Sequence, residues 1–301
     1  MNLKEIEYVV KIAEEQNLTR AAEKLFITPS ALTQQINRLE QEIGAPLFYR
    51  SRAGWIPTTA GEIYLKSAKE ILRMKRETYK QLQDVITSRK GSLSIGFPPE
   101  RGSAMFTRVY PAFHHRYPNI TINVREVNVR IQQQMIANGE LDIGFMTLCE
   151  DQETDDEYIH INNEELILAV PSIHPYCKEA VPSPCSRYPE IDLTRFIYEP
   201  FALMHQSSTI HGFVNNIFRK MGFHPTVLFE TARARTIIDM VDANLCCGLV
   251  PDFYANPGKP NVTFLSLPGH PTWNISASYK RGSYLNQAAR YFIELASNYW
   301  N

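Results

Sequence analysis

The stretch Thr28-Pro29-Ser30-Ala31-Leu32-Thr33-Gln34-Gln35-Ile36-Asn37-Arg38-Leu39-Glu40-Gln41-Glu42-Ile43-Gly44 decides how the front of the chain folds. Leu32, Ile36, Leu39 and Ile43 recur at 4,3,4 spacing, the apolar stripe of a helix. Thr28 offers an N-cap hydroxyl, and Pro29 fills the first helical position, where its missing N–H would be orphaned anyway. Gly44 closes the helix. Ser30, Thr33, Gln34, Asn37, Arg38 and Gln41 form a second stripe that carries no carboxylate. Amides, hydroxyls and arginine are the side chains that hydrogen-bond base edges and phosphates. Composition alone fits a solvated face equally well.

The flanks favour the first reading. Leu3, Ile6, Val10 and Ala13 predict a helix upstream. Thr19 is read as the cap of a short second helix running through Leu25, and Phe26-Ile27-Thr28 is then a three-residue turn. Three helices so joined predict a helix-turn-helix reader. Downstream, Ala45 to Thr58 reads as an apolar strand, a basic Gly turn and an aromatic–Ile pair, a hairpin wing with Arg50 and Arg52 against phosphates. From Thr59 a capping box, Thr59-x-x-Glu62, opens a long helix. Leu65, Ala68, Leu72, Lys75, Tyr79, Leu82 and Ile86 keep heptad spacing. About 28 residues at ~1.5 Å each would span about 42 Å. Packing on its own domain and pairing with a partner helix are both open, and the heptads favour the partner.

The chain has 301 residues and a net charge of −1, which predicts two or three domains. Charge is uneven: seven Lys/Arg against seven Asp/Glu over residues 1–60, eight against four over 61–90, sixteen against twenty-one beyond. That gradient points to a front that meets a polyanion. No apolar run approaches the ~18 residues of a membrane helix, and the start is too acidic for a secretory signal. Five cysteines without a C-x-x-C pair suggest reduced thiols in the cytoplasm.

Beyond Gly91 the pattern turns α/β. Strands are predicted at 93–97, 120–127, 141–146, 166–170, 201–204, 226–230 and 275–279, an apolar run at 247–250, and helices at 106–117, 129–138, 210–221, 236–243 and 287–299. The acidic run 150–157 reads as a solvated loop. Two βαβ blocks with a late return element imply two lobes and a cleft where a small molecule binds. Catalytic signatures do not occur: no two glycines stand two apart, and neither H-E-x-x-H nor G-x-S-x-G is present. His114-His115 and Cys246-Cys247 are adjacent pairs, poor for metal geometry, so no enzyme, cofactor or metal is expected.

The runs Asn17-Leu18-Thr19-Arg20-Ala21-Ala22-Glu23-Lys24-Leu25, Thr28 to Glu40, Gly44-Ala45-Pro46-Leu47-Phe48-Tyr49-Arg50 and Thr58-Thr59-Ala60-Gly61 resemble the LysR-type transcriptional regulators, without a gap across about sixty residues. Tyr110-Pro111, Tyr117-Pro118, Gly139-Glu140-Leu141-Asp142, Val170-Pro171, His174-Pro175 and Gly248-Leu249-Val250-Pro251 extend the likeness to the rest. The resemblance implies a winged helix-turn-helix DNA-binding domain (1–58), a linker and dimerisation helix (59–90) and a periplasmic-binding-protein-like effector domain (91–301). Its lobes would be about 91–162 with 268–301, and about 163–267. It implies double-stranded promoter DNA as partner, RNA polymerase for an activator, self-association as dimer and tetramer, and no membrane.

Carried over, the DNA contacts are Pro29, Ser30, Thr33 and Gln34 at the bases, with Arg38, Arg50 and Arg52 toward the backbone. Gln34 stands where the family often has Arg, and Pro29-Ser30 where it often has Gln-Pro, so base preference does not transfer. The effector would lie among Pro99, Glu100, Arg101, Gly102, Ser103, Asn128, Val129, Thr147, His205, Ser207, Ser208, Thr209 and Cys247. Helix N-termini converging there suit a small anionic metabolite, with Arg101 as a bidentate fork unless Glu100 neutralises it. Cysteine is absent at Ser207-Ser208-Thr209, which ranks redox sensing low. A solute-binding module or enzyme on the same fold, and an architectural DNA binder, are the competing readings.

Overall fold

The computed structural model describes residues 2–51, 54–85, 90–255 and 258–301. The chain divides into two compact units, Met1–Ser88 and Arg89–Asn301.

In the first unit, α1 (Leu3–Glu15), α2 (Leu18–Lys24) and α3 (Pro29–Ile43) each begin at a side-chain cap: Asn2, Asn17 and Thr28 accept from the backbone N–H of Glu5, Arg20 and Ala31. The second cap is thus Asn17 rather than Thr19, because the helix starts two residues earlier than the Thr would require. Gly44 ends α3 at φ 78°, the left-handed conformation that glycine adopts without penalty. Leu32, Ile36 and Leu39 pack with Ile6, Val9, Ile12, Ala21 and Ala22 in a common core, whereas Ile43 is largely exposed.

Strands β1 (Phe48–Ser51) and β2 (Gly54–Pro57) pair antiparallel as the wing. Helix α4 (Thr59–Val85) follows. Its cap is Thr58, whose hydroxyl accepts from Gly61 N–H at 3.0 Å and donates to the Pro46 carbonyl at 2.7 Å. The Thr59 capping box is corrected accordingly: Thr59 is already helical. Gly61 is required sterically, since a Cβ there would sit 2.0 Å from the Leu47 carbonyl oxygen. The heptad seam divides. Leu65 and Ala68 are buried in the core of their own unit, and Lys75 pairs with Glu7 of α1 at 2.9 Å. Met74, Tyr79 and Leu82 are exposed. Self-packing therefore takes the first half of a seam for which the spacing favoured a partner; Ile86 lies outside the described residues.

The second unit contains β3 (Lys90–Phe97), α5 (Arg101–Arg116), β4 (Asn119–Glu126), α6 (Val129–Ala137), β5 (Ile143–Leu148), β6 (Glu157–Pro171), β7 (Pro200–Met204), α7 (Thr209–Lys220), β8 (Thr226–Thr231), α8 (Ala234–Asp242), β9 (Gly248–Pro251), β10 (Val262–Leu265), β11 (Thr272–Tyr279) and α9 (Gln287–Trp300). A continuous sheet runs β10-β6-β11-β5-β3-β4, with β9 also on β6. The fifteen-residue β6 joins two lobes: its first half pairs with β11, its second with β9 and β10. Strands β3, β4 and β5 are parallel in one lobe, and β7 and β8 in the other. One core gathers Phe97, Met105, Phe113, Phe145 and Phe292, and another Leu168, Phe196, Phe201, Val214 and Phe218. The polar first half of β6 and the short β10 escape an apolar-run reading, because edge-facing polar residues and four-residue strands carry little periodic signal.

Candidate functional site: nucleic-acid interface and effector cleft

On α3, Ser30, Gln34, Asn37, Arg38 and Gln41 are exposed and Thr33 half-buried. Thr33 bonds back to the Pro29 carbonyl at 2.9 Å, and Ser30 lies 3.1 Å from the Thr28 hydroxyl. Gln34, Asn37, Arg38 and Gln41 take no partner among the described residues. Immediately before the helix, Phe26 is 95% exposed at φ 56°. A donor- and acceptor-rich face is thus left open along one side of the helix.

Arg50 differs. Its guanidinium pairs with Glu40 and stands 4.6 Å over the Trp55 ring. The other Glu40 oxygen accepts from the N–H groups of Leu47 and Phe48 at 2.7 and 3.3 Å. Glu40 therefore ties the wing to the reading helix, and a phosphate would have to share Arg50 with it. Trp55 N–H donates to the Gln16 carbonyl at 3.0 Å, which fixes the second wing strand to α1. The sequence offered no sign of either tether, because both partners come from outside the local helical spacing. Arg52 lies outside the described residues.

In the second unit, chain topology sets the cleft. The carboxyl ends of β3 and β4 lead to the N-termini of α5 and α6, that of β5 leads to the short turn Glu150–Gln152, and that of β7 leads to α7. Ligands of open α/β sheets bind at such ends. Thr209, at the start of α7, donates to the Thr147 carbonyl at 2.8 Å, so the two lobes face each other there. Gln152 bridges the same place, donating to the Thr209 carbonyl at 2.9 Å. Thr147 and Thr209 are both buried.

The remaining residues expected in the cleft fall into three groups. Pro99, His205 and Ser207 are exposed, and Glu100, Ser103, Asn128 and Ser208 are half-buried. Helices α5 and α7 start without a side-chain cap, whereas Asn128 caps α6 on Ile131 N–H. His205 Nδ1 sits 3.0 Å from the Ser207 hydroxyl. Gly102 and Val129 are buried: a Cβ on Gly102 would meet Phe97 at 2.5 Å, and Val129 packs with Leu141, Met146 and Leu148. Cys247 belongs elsewhere. It bridges Phe201 beside the N-terminal end of β7, while the cleft residues follow its C-terminal end. Burial raises its thiol pKa.

Arg101 is also corrected as a fork for an anion. It is 4% exposed and already bidentate on Glu164, with the second contact at 2.7 Å. Glu164 further accepts from Trp273 Nε1 at 2.8 Å and Phe253 N–H at 3.2 Å, and the guanidinium lies 4.9 Å from the Phe253 ring. The neutralising carboxylate is Glu164, sixty-three residues away, rather than neighbouring Glu100. Glu164 stands where β6 passes between lobes and Trp273 where β11 returns, so this network fastens the crossover. In the acidic run, Glu150, Asp151 and Glu153 are exposed and rim a trough of about 920 Å³ over β6 and β11. Among the described residues no group of three or more His, Cys, Asp or Glu could hold a metal ion. No helix of the described residues is long and apolar enough to cross a membrane.

A winged helix-turn-helix followed by a two-lobed binding unit defines a class of DNA-binding regulators. Residues 3–62 match the family model described as bacterial regulatory helix-turn-helix protein, lysR family, and residues 87–301 match the LysR substrate binding domain. The chain belongs to the LysR family, whose members are DNA-binding transcriptional regulators with an effector-binding domain and not enzymes. It is 30% identical over 302 residues to the HTH-type regulator YwbI of Bacillus subtilis, covering 99% of this chain and 97% of that one. It is 26% identical over 297 residues to HcaR, the hca operon transcriptional activator of Escherichia coli, covering 98% and 97%. Among solved structures, full-length OxyR of Pseudomonas aeruginosa superposes with a TM-score of 0.75 at 22% identity, covering 99% and 94%. CbnR complexed with its target DNA gives 0.60 at 19% identity, covering 99% of each chain.

Proposed function

We propose that this regulator reads promoter DNA with α3 in the major groove, as a dimer or a pair of dimers, under control of a small carboxylate-bearing metabolite held between the lobes. The observation that carries the reading is the exposed row Gln34, Asn37, Arg38 and Gln41, which takes no partner among the described residues. Amides read adenine bidentately and arginine takes guanine or phosphate. Pro29, Ser30 and Thr33 complete the base-facing edge, Arg50 flanks it on the wing, and the sequence assigns Arg52 to the same phosphate-contacting role. Met74, Tyr79 and Leu82, exposed along α4, favour pairing through that helix. The assigned segments are 1–58 for DNA, 59–90 for the linker, and 91–301 for the effector, with lobes of about 91–162 plus 268–301 and about 163–267. Action is in the cytoplasm, where promoters lie, with RNA polymerase as the further partner of an activating complex.

For the metabolite, the uncapped starts of α5 and α7 supply N–H groups and the positive ends of their dipoles. Ser103, Ser207, Ser208 and His205 add donors, while Arg101 holds the crossover through Glu164. Selection of bound fragments from a random duplex pool by the full-length protein tests the DNA reading. Two related half-sites a whole number of helical turns apart are expected; an unenriched pool would end it. A bound carboxylate must then change operator affinity by the factor by which operator changes its own.

A further inference from the structure

Away from the cleft, at the end of the second lobe where β7 begins, lies a hollow of about 290 Å³. Pro171, Pro175 and Pro200 line it, and their fixed φ angles make the walls rigid before anything binds. The buried thiols of Cys246 and Cys247 also line it, both raised in pKa by burial and so held as neutral, apolar surface. Two large apolar side chains at this hollow stay in water: Ile173 is 78% exposed and Leu245 55%.

Leu245 is held there by the backbone. Helix α8 ends with Asn244 at φ 60°, Asn244 N–H on the Val241 carbonyl at 2.9 Å and Leu245 N–H on the Met240 carbonyl at 3.1 Å. After this type of helix ending the next apolar residue commonly folds back on the last turn. Here it stands beside the hollow instead.

The polar groups of the hollow are as specific. Tyr176 N–H donates to His174 Nδ1 at 3.4 Å, which places the ring proton on Nε2, 3.3 Å from one oxygen of Glu199. Among the described residues the other Glu199 oxygen has no partner and no Lys or Arg lines the hollow. A site with one open carboxylate oxygen and apolar walls repels the anions that suit the cleft. Its volume of about 290 Å³ lies just below the ~300–1,000 Å³ of drug-sized ligand sites, which suits a small molecule and is too small for a folded partner's element.

We propose that this hollow is a second ligand site, for a small monoamine whose apolar body lies between Ile173 and Leu245 and whose ammonium meets the open oxygen of Glu199. The site is independent of the cleft and of DNA binding. The probe is benzylamine, titrated calorimetrically into the full-length protein without DNA, with benzoate as the opposite charge. Saturable one-to-one binding of benzylamine is expected, weakened about tenfold or more by Glu199→Gln, which removes the charge and keeps the shape. Leu245→Trp should abolish it by filling the mouth, and benzoate should not compete. Absence of binding, or equal binding in the wild type and both variants, overturns the proposal. Should either variant unfold early, a crystal of the wild-type protein with benzylamine decides: nitrogen density at Glu199 supports the site, and density elsewhere or none ends it. A failure here leaves the α3 reading untouched, because no DNA enters the measurement.

Discussion

The reading face of α3 and the effector cleft are both polar, yet they handle polarity in opposite ways. On α3, four side chains face water with no partner among the described residues, so their hydrogen-bonding capacity is intact for a base or a phosphate. At the cleft and its crossover most such groups already hold one another: Arg101 on Glu164, Thr209 on Thr147, His205 against Ser207. The first arrangement maximises what a rigid partner can satisfy on contact. The second makes the unit itself depend on its polar groups, so that a ligand acts by exchanging partners rather than by finding idle ones.

The largest effect should come from breaking the paired side. Glu164→Ala leaves the Arg101 charge buried without its counter-ion, which costs about 3–5 kcal/mol of stability in such sites. Urea unfolding of the full chain should show the loss in the transition that belongs to residues 89–301. A loss under about 1 kcal/mol would mean that the network does not fasten the crossover. Replacing both members, Arg101→Met with Glu164→Met, should recover much of the difference, since apolar packing substitutes well for a buried pair.

On the open side the effects are smaller for folding and specific for binding. Gln34→Ala should leave stability near wild type, cost roughly 1–3 kcal/mol at one base-pair position and relax discrimination there. Competition with operators substituted position by position measures this. Uniform weakening at every position would remove Gln34 from the base-reading set.

The wing offers a comparison inside one domain. Arg38 has no partner among the described residues, whereas Arg50 is paired with Glu40. Arg38→Ala should shallow the salt dependence of DNA binding by about one unit of slope. Arg50→Ala should shallow it less, because Glu40 already offsets its charge. Equal slopes for the two variants would show that DNA draws Arg50 away from Glu40.

The same contrast explains what could be read from the sequence. The reading face, the cap at Thr28 and the stop at Gly44 lie within seventeen consecutive residues, so spacing alone displays them. The partners of Arg101 lie at 164 and 253, and Glu164 is held in turn by Trp273, all on strands and turns that only the folded sheet brings together. Glu40 was visible as a residue of the helix, but its grip on the wing needed the return of the chain at Leu47 and Phe48. Cys247 was misplaced for a related reason. Its neighbourhood in sequence follows the family pattern, while strand direction puts it at the wrong end of β7. The division of the α4 seam could not be read either, since α1 and a second α4 present equally good apolar surfaces to a heptad.

A paired polar group should also leave a mark on pH dependence that an open one does not. Burial acts most strongly on Glu165 and by itself would raise its pKa. Hydrogen bonds from Ser266, from Ser186 at 2.7 Å and from His270 at 3.1 Å outweigh it and hold the carboxyl below its ordinary 4.5. A folded pKa below the unfolded one means that the stabilisation is complete above about 4.5 and is lost as pH falls through the lower, folded value. Ser186→Ala removes one of the three donors and should move that loss to higher pH, by a small amount because the other two remain. Acid unfolding of the full chain, followed for residues 89–301, measures it. Thr33→Ala on α3 touches no titrating group and should leave the acid limb where it is. A shift of equal size in both variants would show that the limb reports general loosening rather than the Glu165 network.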